Sequence, residues 1–198
     1  MGRPSRFDTD ALVETAITVA ARGGPAAVTM VAVARAAGAP SGSLYHRFPG
    51  RPALLAAVRL EALTDFQEGL RAVLAVADPL AAATGAARHV VAWSRTRPDR
   101  ARVLLYSPVD FEVERWPAAE RERMERGNAR SGAALVGIAE ALRAPEESAG
   151  TALERTRMAV VDLPLALVRR YLSGGGEIPA EAEDAAADAA YRLLAPRP

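Results

Sequence analysis

Residues 29–48 read TMVAVARAAGAPSGSLYHRF, a pattern that predicts two short helices joined by a tight turn. In the first helix, apolar residues recur at the spacing that places them on one face: Met30, Val33, Ala34 and Ala37. Thr29 precedes this helix as an N-cap, and Gly38 follows it, where a left-handed backbone can end a helix. Pro40 suits the first turn of a second helix, which we predict over Ser41 to Phe48. The segment therefore has the form of a helix-turn-helix, whose second helix can enter the major groove of DNA.

The predicted second helix has one apolar side and one polar side. At about 100° per residue, Leu44 and Phe48 share the apolar side and face the core. The polar side is the predicted reading surface: Gly42, Ser43, His46 and Arg47. Arg47 can donate to a guanine edge or a phosphate, Gly42 permits close approach of the backbone, and Tyr45 projects from the flank toward the DNA backbone. The alternative, two ordinary core helices, leaves this exposed polar side unexplained.

Residues 9–60 resemble the DNA-binding domain of TetR-family transcriptional regulators. Several residues occur in the family's order and spacing: Gly2-Arg3-Pro4, Thr9 to Ala21, Gly24, Thr29, Val33-Ala34, Ala37-Gly38, Gly42-Ser43-Leu44-Tyr45, Phe48, Arg51 and Leu54-Leu55. The resemblance implies that one set of side chains contacts mainly phosphates: Thr29, Ser43, Tyr45, His46 and Arg51. It also implies that Gly42, His46 and Arg47 lie near bases.

The charge of the chain is concentrated toward its beginning. Residues 1–60 carry seven arginines against three acidic residues, whereas the net charge of the whole chain is only +1. A basic module of this kind attracts phosphates. Arg3 and Arg6 precede the first predicted helix, which begins near Asp8 or Thr9 and ends at Gly23-Gly24. Two interpretations of this arm stay open: contact with phosphates or the minor groove, and a solvated tail.

The composition favours an all-α protein without disulfides or a metal site. Half of the 198 residues are apolar, alanine is abundant, and the chain has no cysteine and two histidines. Alanine has the highest intrinsic helix propensity, and without cysteine there is no disulfide and no thiolate ligand. The N-terminus lacks the apolar core of a secretory signal, and no segment approaches the ~20 apolar residues of a membrane span. We therefore expect a cytoplasmic protein with no cofactor and no membrane contact.

Prolines divide the remainder of the chain into further predicted helices. A helix from Pro52 toward Ala77 should link two domains, a helix-turn-helix DNA-binding domain at residues 1–50 and a helical effector-binding and dimerisation domain at 51–198. Three helices are then predicted from proline positions: Leu80 to Arg97, Asp99 to Tyr106 and Ala118 to Arg143.

The last two predicted helices are candidates for a dimer interface. Residues 151–173 are apolar around the whole helix, which indicates burial on both sides, and Pro164 predicts a kink or break. The final helix carries a stripe of small and apolar residues: Ala182, Ala186, Ala189, Ala190 and Leu193. We predict that these helices pair with their copies as a four-helix bundle, which the family resemblance also implies. The alternative is that the stripes complete the core of a single chain.

A group of aromatic and charged residues in the middle of the chain is the candidate effector pocket: His89, Trp93, Tyr106, Asp110, Phe111 and Trp116. An aromatic pocket with a carboxylate would suit a cationic or amphipathic compound. Aromatic residues in a helical bundle are also common core residues, so both interpretations stay open.

Enzymatic function is disfavoured because no catalytic motif occurs. The triple glycine at 174–176 lacks the context of a phosphate-binding loop, and the sequence contains neither a GxSxG nor an HExxH motif. We expect a homodimeric TetR-like repressor that binds a near-palindromic operator in double-stranded DNA and is released by a small-molecule effector. The alternative is a DNA-binding protein that is regulated by a protein partner or is architectural.

Overall fold

The structure, a computed structural model, describes residues 8–196, and every regular element in that range is a helix. The first four helices are α1 (Thr9–Ala27), α2 (Met30–Ala37), α3 (Ser41–Tyr45) and α4 (Arg51–Leu74). They are followed by α5 (Pro79–Thr96), α6 (Pro98–Leu105), a short 3₁₀ helix (Val113–Arg115) and α7 (Ala118–Ala141). The last are α8 (Ala149–Arg157), a π-helical turn (Met158–Asp162), α9 (Leu163–Ser173) and α10 (Glu181–Leu194). The predicted all-α class is confirmed.

The helices form two compact units. The first unit contains residues 8–64 and 99–125, and the second contains residues 65–98 and 126–196. Each has its own buried core. Leucine and valine side chains from α1, α2, α3 and α4 dominate the first core, whereas the second contains four alanines of α5 together with Ala190 and Leu194 of α10. The predicted boundary at residue 50, between a DNA-binding domain and an effector-binding and dimerisation domain, stays a prediction.

The helical backbone of the first helix is interrupted at its predicted end. α1 continues to Ala27, but Gly24 has a φ of 74° and interrupts the helical backbone. Pro25 then begins a last turn, as proline does at the start of a helix. Tyr106 packs against this point, since a Cβ on Gly24 would lie 3.1 Å from the tyrosine hydroxyl oxygen. Arg3 and Arg6, the predicted arm, lie outside the described residues.

The long apolar helix predicted over residues 151–173 is interrupted where Pro164 requires it. Proline has no N–H and its ring clashes with the carbonyl four residues earlier. The chain accommodates this with the π-helical turn, in which the Leu163 N–H donates to the Met158 carbonyl five residues back. The predicted kink is thus an inserted π turn, a known way to bend a helix.

Arg155 joins three helices of the second unit. Its Nε and Nη2 donate to the two carboxylate oxygens of Glu147 at 2.9 and 2.7 Å. Nη2 also donates to the Leu142 carbonyl at 2.9 Å, and Nη1 to the Leu193 carbonyl at 3.2 Å. These hydrogen bonds hold the pKa of Glu147 below its usual value and raise that of Arg155. The arginine therefore satisfies carbonyls at the ends of α7 and α10, which have no partner within their own helices.

None of the helices among residues 8–196 is both long enough and apolar enough to cross a lipid bilayer.

Candidate DNA-binding surface

The turn between α2 and α3 has the geometry that its sequence predicts. The Thr29 hydroxyl oxygen accepts a hydrogen bond from the Ala32 N–H at 3.1 Å and caps α2. Gly38 ends the helix at a φ of 62°, and its N–H donates to the carbonyls of Ala34 and Arg35. A residue with a Cβ is disfavoured in this left-handed conformation. The cap and the glycine together fix where α3 starts.

Two apolar anchors hold α3 against the first core. Leu44 is fully buried and Phe48 is 6% exposed. Because α3 has only five residues, such packing has to supply most of its stability. The predicted helix to Phe48 is wrong in length: α3 ends at Tyr45, and His46 and Arg47 form a turn. Pro49 explains this, since the residue before a proline avoids helical geometry.

The opposite side of α3 faces solvent. Gly42 and His46 are exposed, Ser43 is half-buried, and Tyr45 is 59% exposed. Tyr45 and His46, for which the sequence predicts DNA contact, are thus accessible to solvent next to the buried Leu44 and Phe48.

Arg47 lies along its own turn of the chain. Its Nη1 donates to the Ser43 carbonyl at 3.0 Å, and the residue is half-buried. This bond places the guanidinium beside Ser43, the neighbouring predicted contact residue. Reaching a base edge would require Arg47 to share or exchange this bond.

Arg51 begins α4 and is tied to the end of α1. Its Nε donates to the Val28 carbonyl at 2.8 Å, and its Nη2 donates to the Pro25 carbonyl at 2.8 Å. Its Nη1 pairs with the carboxylate of Glu112. Glu112 also accepts a hydrogen bond from Arg115 Nη1 at 3.0 Å, and its φ of 53° is left-handed. Sequence reasoning assigned Arg51 to phosphate and did not foresee this partner.

Arg59 is a second arginine whose role sequence reasoning missed. It is 9% exposed, and its Nη1 donates to the carbonyls of Tyr106 at 3.0 Å and Val103 at 3.4 Å. Its guanidinium carbon lies 5.2 Å from the centre of the Phe111 ring. Burial lowers the pKa of Arg59, and the charge of Asp110 acts in the opposite direction. The signal in the sequence for a buried Arg59 was its position between two apolar residues, Val58 and Leu60, which are both buried.

The candidate pocket residues fall into two groups, one in each unit. In the first unit, Phe111 and Trp116 are buried in the core, and the Trp116 Nε1 donates to the Phe111 carbonyl at 2.8 Å. Tyr106 stands edge-on to Phe111, with 6.5 Å between ring centres. Asp110 is exposed, and its carboxylate accepts two hydrogen bonds from Ser107, which lower its pKa. The geometry of Phe111 and Trp116 is that of core residues.

The other two candidates pack around Phe66 in the second unit. The ring of Phe66 lies 5.3 Å from that of His89 and 5.2 Å from that of Trp93. The His89 Nε2 lies 3.1 Å from the Phe66 carbonyl oxygen, and the Trp93 Nε1 donates to Asp65 at 3.2 Å. Burial lowers the pKa of His89, whereas the bond to the Phe66 carbonyl raises it. This cluster combines aromatic rings, an imidazole and the carboxylate of Asp65 in place of the predicted Asp110, and its role in effector binding stays a prediction.

Within residues 8–196, no group of three or more histidine and acidic side chains is placed to hold a metal ion.

Residues 12–58 match the family model of bacterial regulatory proteins, tetR family. The matched span contains the whole of α2 and α3 and the Thr29 cap. No curated protein sequence matches the chain significantly.

Three solved structures share the fold over nearly the whole chain. PfmR, a TetR family transcriptional regulator from Thermus thermophilus, is 18% identical, with 97% of this chain and 98% of that chain covered at a TM-score of 0.74. The ketosteroid transcriptional regulator KstR2 of Mycobacterium tuberculosis is 18% identical, with coverages of 98% and 95% and a TM-score of 0.72. FadR from Bacillus subtilis, solved in complex with stearoyl-CoA, is 15% identical, with coverages of 95% and 98% and a TM-score of 0.69. At these identities, the likeness shows a common fold.

Proposed function

We propose that this chain, which belongs to the TetR family of bacterial transcriptional regulators by its match over residues 12–58, is a homodimeric repressor acting in the cytoplasm. It binds a near-palindromic operator in double-stranded DNA and is released by a small-molecule effector. One observation carries the proposal: Leu44 of α3 and Phe48, just after it, are buried, whereas Tyr45 and the polar residues Gly42 and His46 are exposed. A helix held in this way can enter the major groove without unfolding its domain.

The proposed phosphate contacts come from groups at the edges of this surface. The Thr29 hydroxyl accepts from the Ala32 N–H and so keeps its own proton for donation to a phosphate oxygen. Tyr45, Ser43 and His46 offer further donors, and Arg51 offers a guanidinium at the start of α4. Such contacts set the position of the protein on the duplex.

The proposed base contacts come from the centre of the surface. Gly42 is exposed and has no side chain within reach of its Cβ position, so the backbone there can approach a base edge. Arg47 has a planar guanidinium that matches the two acceptors of guanine, and His46 lies beside it. These three residues are the proposed source of sequence specificity.

Replacing Tyr45 or Arg47 with alanine is expected to weaken operator binding by roughly 1–3 kcal/mol each, because each variant loses a DNA contact but no core packing. The probe is a duplex selected from a random-sequence library by the wild-type protein, and affinity is measured by fluorescence anisotropy. Arg130→Ala is the control, since it removes one exposed arginine of α7 outside the proposed surface. Unchanged affinity in both Tyr45→Ala and Arg47→Ala would rule out this face as the reading surface.

A homodimer is proposed through the exposed faces of the last two long helices. Met158 is 49% exposed, Leu163 is 40% exposed, and Tyr191 on α10 is 54% exposed. Ala182, Ala186 and Ala190 of α10 are buried within the chain itself, and Ala190 belongs to its second core. Most of the predicted stripe is therefore covered by its own chain, and the proposed interface uses the side chains of these helices that stay exposed. A symmetric pair would present two reading helices to adjacent major grooves about 34–36 Å apart.

The proposed effector is an amphipathic small molecule that binds near Phe66, His89 and Trp93. The rings offer apolar contact, and the carboxylate of Asp65 and the imidazole offer polar contact. FadR from Bacillus subtilis was solved with stearoyl-CoA, and this makes long-chain acyl compounds a reasonable first set to screen.

A thermal-shift screen of acyl-CoA thioesters, sterols and amphipathic cations tests the effector proposal. One class should raise the melting temperature of the protein and weaken DNA binding, because linkage requires ligand and DNA to reduce each other's affinity by the same factor. Phe66→Ala should reduce the shift, whereas Val136→Ala on exposed α7 should not. Stabilisation without any loss of DNA affinity would contradict release by the effector and favour a regulator controlled by other means.

A further inference from the structure

The pair formed by Arg51 and Glu112 joins two distant parts of the first unit. Arg51 starts α4, immediately after the reading surface, whereas Glu112 lies in the connection between α6 and α7. Arg51 is also one of the proposed phosphate ligands. A residue expected to bind an anion of DNA is thus already bound to an anion of its own chain.

The backbone of Glu112 is held in a conformation that a glutamate rarely adopts. Its φ of 53° is the only positive value at a non-glycine residue among residues 8–196. Its N–H donates to the Val109 carbonyl at 2.9 Å, and its own carbonyl accepts from the Arg115 N–H at 2.8 Å. Residues with such strain persist only where the surroundings enforce them, and they are frequent at switch regions. Phe111, directly before Glu112, and Trp116, four residues after it, are both buried in the first core, so both ends of this turn are anchored.

We propose that Glu112 is an intramolecular competitor of DNA phosphate for Arg51, and hence an autoinhibitory contact. This inference rests on the proposed DNA-binding function. Carboxylate and phosphate oxygens accept charge-assisted hydrogen bonds from the same guanidinium edge. Only Nη1 has to change partner, because Nε and Nη2 stay bonded to the carbonyls of Val28 and Pro25. The two carbonyls therefore hold Arg51 in place while its Nη1 exchanges the Glu112 carboxylate for a DNA phosphate.

A released Glu112 has a second cation available. Arg115 Nη1 already donates to the other carboxylate oxygen at 3.0 Å, and the Arg115 side chain is 70% exposed and can follow the carboxylate. Because the glutamate is not left unpaired after release, the exchange avoids the penalty of an isolated buried charge. The approach of negatively charged DNA also disfavours the carboxylate at this position.

The salt dependence of DNA binding tests the proposal. In the wild-type complex Glu112 still competes for Nη1, so Arg51 makes only a partial phosphate contact, and the Glu112→Gln variant makes this contact complete. The slope of log Kd against log salt concentration should steepen, by up to about 0.9 per protomer, and binding at low salt should tighten several-fold. The probe is the library-selected duplex bound by the wild-type full chain. Glu112→Gly is the second variant, because glycine adopts positive φ without strain and also lacks the carboxylate.

Two controls separate competition from other effects. Glu114→Gln makes the same change of charge at an exposed residue two positions away, so it reports the general electrostatic contribution. In an Arg51→Gln background, Glu112→Gln should no longer change the slope beyond that contribution. If both Glu112 variants had the wild-type salt slope, or bound DNA more weakly with a shallower slope, Glu112 would not be a competitor of phosphate. Its role would then be structural only. A wild-type protein that selects no duplex would instead overturn the proposed function itself.

Discussion

Replacing Leu44 with alanine is expected to lower the free energy of unfolding by about 2–5 kcal/mol, the range for a fully buried leucine whose removal leaves a cavity. Leu44 has no exposed surface and is the main anchor of a five-residue helix. A helix this short has almost no stability of its own, so it depends on this side chain. The variant should therefore also lose DNA binding. Urea denaturation followed by circular dichroism measures the first effect, and fluorescence anisotropy with the selected duplex measures the second.

Tyr45→Ala is the matched control for Leu44→Ala. Tyr45 is the next residue of the same helix, but it is 59% exposed, so its loss should leave the unfolding free energy within about 0.5 kcal/mol of wild type. The two variants thus distinguish the anchoring of α3 in the core from the contact of α3 with DNA. If Leu44→Ala were as stable as wild type, the core could not be what holds α3 in place.

The sequence predicts the reading surface well because its determinants are local. The Thr29 cap, the left-handed Gly38 and the inward pair Leu44 and Phe48 all act over four residues or fewer, and the structure confirms each of them. Prolines are also local signals. Pro79 and Pro98 begin α5 and α6, and Pro164 follows the π-helical turn.

The partners of individual arginines could not be predicted, because they depend on packing between distant residues. Glu112 lies 61 residues from Arg51, and Tyr106 lies 47 residues from Arg59. No spacing rule connects such positions. The same reason applies to the candidate pocket, where neighbours in sequence, such as Trp93 and Tyr106, pack into different units.

A stripe on a helix predicts burial but not the surface that buries it. The predicted stripe on α10 is mostly covered by its own chain, because Ala182, Ala186 and Ala190 are buried, whereas Ala189 and Leu193 are half-buried. The periodicity of the stripe is the same whether its own chain or a second copy of the chain covers it. Only the exposed apolar residues that remain after folding, such as Leu163 and Met158, point to a further partner.

The double variant Met158→Glu and Leu163→Glu is expected to reduce operator affinity by about 10²–10⁴-fold. Once one DNA-binding domain of a dimer has bound its half-site, the second domain binds the other half-site at a high effective concentration. A monomer loses this advantage. The unfolding of the isolated subunit should change little, since both side chains already contact water at 49% and 40% exposure. Carboxylates opposing their symmetry mates would repel each other across an apolar interface. Sedimentation equilibrium and fluorescence anisotropy measure the two effects.

Val136→Glu is the control for this interface. Val136 lies on α7 and is 46% exposed, so the substitution places one such charge at a site of similar exposure outside the proposed contact. It should leave both the oligomeric state and the DNA affinity unchanged. A Met158→Glu and Leu163→Glu variant that still sediments as a dimer would place the interface elsewhere. If the variant were monomeric and still bound DNA with wild-type affinity, a single DNA-binding domain would be enough for operator binding, and the operator would not need to be symmetric.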